Sequence, residues 1–243
     1  MTATDVRQTH VAAGDTPRVG DSAARKEDER LLRGDGRFAD DVDPARVAEM
    51  AIGRCPYPHA RIVSIDITAA LQAEGVLEVF TGADVAARTE PIGILRPVPG
   101  APSIPHFALA QQTATYEGQP VVSVVATSRH LAEDALELIA IDYEPLPHVS
   151  DVESALAPGA PVIHPGILES NLLVANPQSR GDVDARCKEA DVVLEHTFVV
   201  NRVTGLPMET RSVLAEWRPG ARELTVRTST QVPQLIRKQL AES

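Results

Sequence analysis

Apolar and polar positions alternate with the period of a half-buried strand in several stretches, and a few stretches carry the longer period of a helix. Strands are predicted over 47–52, 61–67 and 76–81, with Gly82-Ala83-Asp84 opening a short helix. The apolar run 120–127 reads as a strand buried on both faces. Ser128 is placed to cap a helix whose stripe is Leu131, Ala135 and Leu138, and 139–143 returns as a strand. Asp182 is placed to cap a second helix running through Ala190, followed by a strand over 191–200. Near the end, Val213, Ala215 and Trp217 share one strand face, and Arg218-Pro219-Gly220-Ala221 is the expected turn. Leu224, Val226 and Thr228 then alternate against Thr225, Arg227 and Ser229. Pro233 suits the first position of a closing helix that buries at most Leu235, Ile236 and Leu240. Strands and helices are mixed without a regular βαβ repeat, so the fold class is α+β.

The punctuation divides the chain. Residues 1–24 have no period and are expected to be a mobile extension, and 25–33 a short charged helical turn broken by Gly34-Asp35-Gly36. Pro91, Gly93, Pro97, Pro99, Gly100, Pro102 and Pro105 mark a long loop over 91–107. Prolines 145, 147, 158, 161 and 165 place a domain boundary near 145–165, with a second segment from about Asn171. A hairpin and one short helix present an apolar face that needs cover from elsewhere, so the chain is expected to be part of a larger machine.

Composition is that of a globular protein, 43% hydrophobic and 23% charged. With 34 acidic and 23 basic side chains the formal net charge is −11, which argues against a surface that tracks nucleic-acid phosphates. No run has the length of a membrane span, and the polar first 25 residues lack the apolar core of a secretory signal, so a cytoplasmic protein is expected. Cys55 and Cys187 make neither a disulfide framework nor a zinc site.

Several patterns that could carry chemistry fail on context. Residues 34–39 fit a loose dinucleotide-binding pattern, but a charged segment precedes them and Asp40-Asp41 would repel a pyrophosphate; a turn is expected. Asp35, Asp40, Asp41 and Asp43 lack the spacing of a calcium loop. The seven histidines are scattered, no serine sits in a nucleophile elbow, and Cys187 reads as a small apolar residue of its helix. Glu209 and Arg211 stand two residues apart at the start of a strand, which puts both on one face: a surface ion pair, or the support of a cavity wall. Gln231 continues the polar parity of Thr225, Arg227 and Ser229, just before the last helix; it is either a surface or capping glutamine, or an amide aimed into a site.

Nine segments, in order, resemble the large subunits of the molybdenum hydroxylases: xanthine dehydrogenase, aldehyde oxidase and carbon monoxide dehydrogenase. They are 25–41, 58–66 (Pro-His-Ala-Arg-Ile-Val-Ser-Ile-Asp), 75–84 (Gly-Val-Leu-Glu-Val-Phe-Thr-Gly-Ala-Asp), 116–126 (Tyr-Glu-Gly-Gln-Pro-Val-Val-Ser-Val-Val-Ala) and 132–135. The others are 142–147 (Asp-Tyr-Glu-Pro-Leu-Pro), 181–184 (Gly-Asp-Val-Asp), 207–209 (Pro-Met-Glu) and 229–233 (Ser-Thr-Gln-Val-Pro). The resemblance implies a hammerhead α/β domain over 25–150 and the incomplete start of a molybdopterin-binding α+β domain over 160–243. It implies that Gln231 lies beside molybdenum, hydrogen-bonding an oxygen ligand, with Glu209 and Arg211 supporting the same wall. Two positions depart from the family pattern, Thr210 where proline is usual and Gln234 where histidine is frequent.

The family's glycine-rich pterin loop, substrate-selecting loop and catalytic glutamate come later than these motifs, so no catalytic residue and no metal ligand is expected here. The implied function is part of a molybdenum-dependent hydroxylase that oxidises a small molecule with water as oxygen source. The implied cofactor is molybdenum–molybdopterin, in its cytosine dinucleotide form, held only with a complementary C-terminal part. The implied partners are that part, an FAD-binding medium subunit and a 2Fe-2S small subunit. The rival reading is an inactive fragment, or a non-enzymatic binding or assembly module.

Overall fold

The computed structural model describes residues 19, 25–42, 44–94, 97–207 and 209–243. Apart from Val19, the expected mobile extension lies outside the described residues, as do His10, Asp43 and Met208. In chain order the elements are α1 (Asp28–Leu32), a 3₁₀ turn (Ala39–Asp41), β1 (Glu49–Arg54), β2 (Ala60–Asp66), α2 (Thr68–Leu71), β3 (Val76–Thr81), α3 (Gly82–Ala86) and β4 (Thr113–Ala114). They continue with β5 (Pro120–Ala126), α4 (Arg129–Glu137), β6 (Ala140–Pro145), α5 (Val152–Leu156), α6 (Val183–Glu189), β7 (Val213–Arg218), β8 (Glu223–Thr228) and α7 (Pro233–Glu242). The described residues fall into two compact units: those of 44–203 with 230–243, and those up to 42 with those of 204–229.

The larger unit is built on two three-stranded antiparallel sheets, ordered β1-β5-β3 and β4-β2-β6. β5 is central to the first and is buried on both faces, as its apolar run, interrupted only by Ser123, predicts. Val122, Val124 and Ala126 face a core closed by Ala51, Ala70, Val79, Ala132 and Ala135. Val121 joins a second core with Cys55, Ala60, Ala110 and Ala114. Every buried residue among those described lies between Ala51 and Ala135.

Small residues let these layers approach closely. Cβ atoms of alanine are the contact surface of α4, and a Cβ added at Gly82 would overlap the Ala110 carbonyl. Ser128 caps α4 as expected, its hydroxyl accepting from the Leu131 N–H at 3.4 Å. The buried stripe of α4 differs from the expected one. Ala132 and Ala135 are buried, Leu131 and Leu136 pack beside them, and Leu138 is exposed at the end, where the helix has already turned its stripe away.

Strands β1, β2 and β6 sit within one to two residues of their expected bounds, and β3 matches them. The stretch 91–107 contains no helix or strand among its described residues. The expected strand over 191–200 does not form: the segment is irregular, because no strand among the described residues pairs with it. Asp182 caps α6 as expected, accepting from the Ala185 N–H at 2.9 Å, but Cys187 on that helix is exposed rather than packed.

In the smaller unit β7 and β8 form a two-stranded hairpin. Its register puts Val213, Ala215, Trp217, Leu224, Val226 and Thr228 on one face, with Trp217 still 58% exposed. The turn is shifted by one from the expected four residues. It spans Pro219 to Arg222, closed by the Arg222 N–H on the Pro219 carbonyl, and the left-handed residue is Arg222 (φ 52°) rather than Gly220.

Two measurements test this packing. Gly82→Ala should destabilise the protein by at least about 2 kcal/mol in denaturant unfolding, through overpacking against a backbone carbonyl. Gly93→Ala, where an added Cβ meets nothing within 4 Å, should stay within about 0.5 kcal/mol of the parent. The second concerns Tyr143, whose hydroxyl is buried with no hydrogen-bond partner among the described residues. Burial, and after it the neighbouring Cys55 thiol, push its pKa up to about 12. A folded pKa above the unfolded one leaves the contribution intact below about pH 10 and removes it as pH rises through about 12. Tyr143→Phe should therefore unfold less steeply than the parent between those two pH values; equal slopes would contradict the assignment.

Candidate functional site

The three residues singled out by sequence fall on the segments that flank the hairpin. Glu209 is half-buried in a bend before β7, and Oε1 accepts a hydrogen bond from the Ala39 N–H at 3.2 Å. The carboxylate thereby ties the 3₁₀ turn to the hairpin's first strand. Arg211 is exposed. The expectation that both lie on one strand face is not met, since β7 begins only at Val213. The two side chains make no ion pair; Glu209 is occupied by a backbone donor instead.

Gln231 occupies the bend between the end of β8 at Thr228 and Pro233, the first residue of α7. The ladder stops three residues before it, so strand parity does not extend to it as expected. Its side chain is exposed, and no hydrogen bond joins it to another described residue. Local geometry around it is well defined: the Ser229 hydroxyl donates to the Thr210 carbonyl at 3.4 Å and the Val232 N–H to the Thr230 hydroxyl at 3.1 Å. Proline then starts α7, where its missing N–H costs nothing. The result is an exposed amide, with one acceptor and two donors, in the bend before α7.

The rest of the titratable residues do not converge. Among the described residues no group of three or more His, Cys, Asp or Glu side chains is placed to hold a metal. Burial first, then the charges of His106 and His59, hold the His164 imidazole below its ordinary range. His59 itself is spoken for, with Nδ1 2.7 Å from the Pro147 carbonyl. A concavity of about 600 Å³ is lined only by residues of the stretch 180–194, and none of Glu209, Arg211 or Gln231 touches it.

Two further polar residues prove important to the frame, and neither was legible as such. Asn171 accepts from the Ile163 N–H at 3.0 Å and donates to the carbonyls of Ala155 (3.1 Å) and Pro161 (2.9 Å), stapling the proline-rich linker. Gln119 is buried and accepts from the Thr115 N–H at 2.7 Å. The signal in each case is an amide among prolines and glycines, where backbone groups lack ladder partners.

Comparison with known proteins decides the assignment. The family model "Aldehyde oxidase and xanthine dehydrogenase, a/b hammerhead domain" matches residues 33–147, and "Molybdopterin cofactor-binding domain" matches residues 163–243. The chain belongs to the aldehyde oxidase and xanthine dehydrogenase family, the molybdenum hydroxylases. It is 38% identical over 205 residues to the 6-hydroxypseudooxynicotine dehydrogenase complex subunit gamma of Paenarthrobacter nicotinovorans, covering 83% of this chain and 25% of that one. It is 32% identical over 234 residues to the carbon monoxide dehydrogenase large chain of Afipia carboxidovorans, covering 90% and 28%. The crystal structure of quinoline 2-oxidoreductase from Pseudomonas putida 86 is similar with a TM-score of 0.82 at 35% identity, over 89% of this chain and 27% of that one. The chain thus spans about a quarter of the length of the molybdenum hydroxylase relatives it matches, and holds a hammerhead domain and the start of a molybdopterin-binding domain.

The exposed Gln231 amide offers one hydrogen-bonding contact to a molybdopterin cofactor. No carboxylate, thiolate or imidazole cluster among the described residues adds a metal ligand. The tether from Glu209 to the Ala39 N–H makes a local prediction. Glu209→Ala should speed hydrogen exchange at the Ala39 amide about tenfold, the equivalent of losing about 1.4 kcal/mol, while leaving the β1-β5-β3 sheet unaffected. An unchanged Ala39 rate would mean that the carboxylate does not hold the turn.

Proposed function

We propose that residues 1–243 form the N-terminal part of the large subunit of a molybdenum hydroxylase that oxidises a small molecule with water as the oxygen source. In this reading 25–150 is the hammerhead domain and 160–243 opens the molybdopterin-binding domain. The remainder of the large subunit completes the cofactor site. An FAD-binding medium subunit and a 2Fe-2S small subunit carry electrons away, the pterin is in the cytosine dinucleotide form, and the complex works in the cytoplasm. Among the described residues no helix is long and apolar enough to cross a membrane.

The observation that carries the reading is the state of Gln231. Several polar residues of the family-like segments satisfy backbone groups: Glu209 holds Ala39, His59 holds Pro147 and Gln119 holds Thr115. Gln231, in the segment Ser229-Thr-Gln-Val-Pro233, satisfies none and lies exposed in the bend before α7. An amide kept there without an internal task is available for a ligand. When bound, the molybdenum cofactor supplies Lewis acidity and takes up the substrate's electrons. Gln231 orients an oxygen of that group by hydrogen bonding, and Glu209 and Arg211 support the wall behind it. No residue of 1–243 acts as the general base.

Gln231→Ala in the assembled large subunit should lower turnover about ten- to a hundredfold, since a buried polar contact of roughly 1–3 kcal/mol is lost. Molybdenum content should stay unchanged. Arg227→Ala, on the polar face of β8, should cost much less. Full turnover of the Gln231→Ala assembly with its molybdenum in place would overturn the role. Residues 1–243 expressed by themselves should bind no stoichiometric molybdenum by elemental analysis; stoichiometric metal there would contradict the need for the remaining part.

A further inference from the structure

The segment after α6 carries a strand's sequence without a strand's structure. Val192, Leu194, His196, Phe198 and Val200 occupy even positions; the odd ones mix Asp191, Glu195, Thr197 and Asn201 with Val193, Val199 and Val203. The even positions from 192 to 200 thus make one strand face without a carboxylate, a lysine or an arginine, against a mixed opposite face. Yet Val192 is 73% exposed, Leu194 90%, Phe198 82% and Val200 90%, and no ladder includes them. The rings of His196 and Phe198 contact edge to face at 4.8 Å, as neighbours two apart on one strand face do.

We propose that residues 191–203 are a docking strand, added to a sheet edge in the remainder of the molybdopterin-binding domain, with Val192, Leu194, Phe198 and Val200 buried against that partner's second layer. The inference rests on the functional reading above. Two observations select this occupant. The segment lies inside the match to the molybdopterin cofactor-binding domain, over 163–243, and the matched relatives are about four times longer than the part this chain spans. A contiguous apolar face of this kind is normally covered. A second copy of the chain is a poorer occupant: pairing two such strands edge to edge satisfies their backbones but leaves both apolar faces in water, because a lone ribbon has no layer behind it. Strand addition to a larger sheet supplies both the backbone partners and the cover.

Hydrogen exchange read by mass spectrometry tests this in two states: residues 1–243 alone, and the complete large subunit, whether its remainder is continuous with residue 243 or a separate polypeptide identified by its peptide sequence. Amides 192–202 should exchange almost unprotected in the first and at least about a hundredfold more slowly in the second. The double variant Leu194→Asp with Phe198→Asp should lose at least about tenfold in yield of assembled subunit, while Val152→Asp, at an exposed position of α5, should assemble normally. If the subunit assembles while 191–203 stays unprotected and the double variant assembles too, the docking strand is refuted and the functional reading stands. If residues 1–243 never associate with a molybdopterin-domain polypeptide, the functional reading itself fails. Protection in the isolated chain, together with a dimer mass in sedimentation, would make a second copy the occupant and overturn the proposal.

Discussion

The structure depends on burying one strand from both sides. β5 carries Val121, Val122, Ser123, Val124 and Ala126 with almost no exposed surface. One face packs on α4 and the other on the core beneath β2. Such a strand fixes its two neighbours in register, because slipping β1 or β3 by one residue would turn every side chain to the wrong face. The layers are held close by alanine and glycine rather than by large side chains, so the unit has little room for added volume. That is why a single methyl group at Gly82 is the most damaging small change considered.

The family-like segments are stitched to one another in pairs. His59 and Pro147 belong to two of them and meet at 2.7 Å, while the Leu146 N–H reaches the His59 carbonyl at 2.9 Å. The turn around Gly118 (φ +82°) exchanges backbone hydrogen bonds with Cys55, and Arg54 caps its carbonyl at 3.0 Å. Glu209 and Ala39 join two more across 170 residues of sequence. Most of what makes this chain look like a molybdenum hydroxylase is therefore architecture. Ser229 and Thr230 stitch in the same way, while the Gln231 side chain between Thr230 and Val232 is exposed and bonds to no described residue; the functional reading uses that open amide.

Legibility in the sequence followed the range of the forces involved. β3, the Ser128 cap, the Asp182 cap and the proline at the start of α7 are set by neighbours a few residues away, and all appear where expected. The pattern over 191–200 does not suffice for a strand, because a strand is a relation between two segments and the pattern names only one of them. Leu138 looked buried by spacing, but α4 ends before it comes round to the core. The turn after β7 shifted because Arg222, not Gly220, takes the left-handed conformation. The strand parity expected to fix Gln231 does not reach it, since β8 stops at Thr228.

The account stands on the claim that this corner faces a molybdenum cofactor once the large subunit is complete. The most direct measurement is a crystal structure of the complete, cofactor-loaded subunit containing residues 1–243. The account expects the Gln231 amide within hydrogen-bond reach, about 3 Å, of an oxygen on the metal, with Glu209 still accepting from the Ala39 N–H. A Gln231 side chain left in solvent, with residues from elsewhere lining that side of the metal, would contradict it.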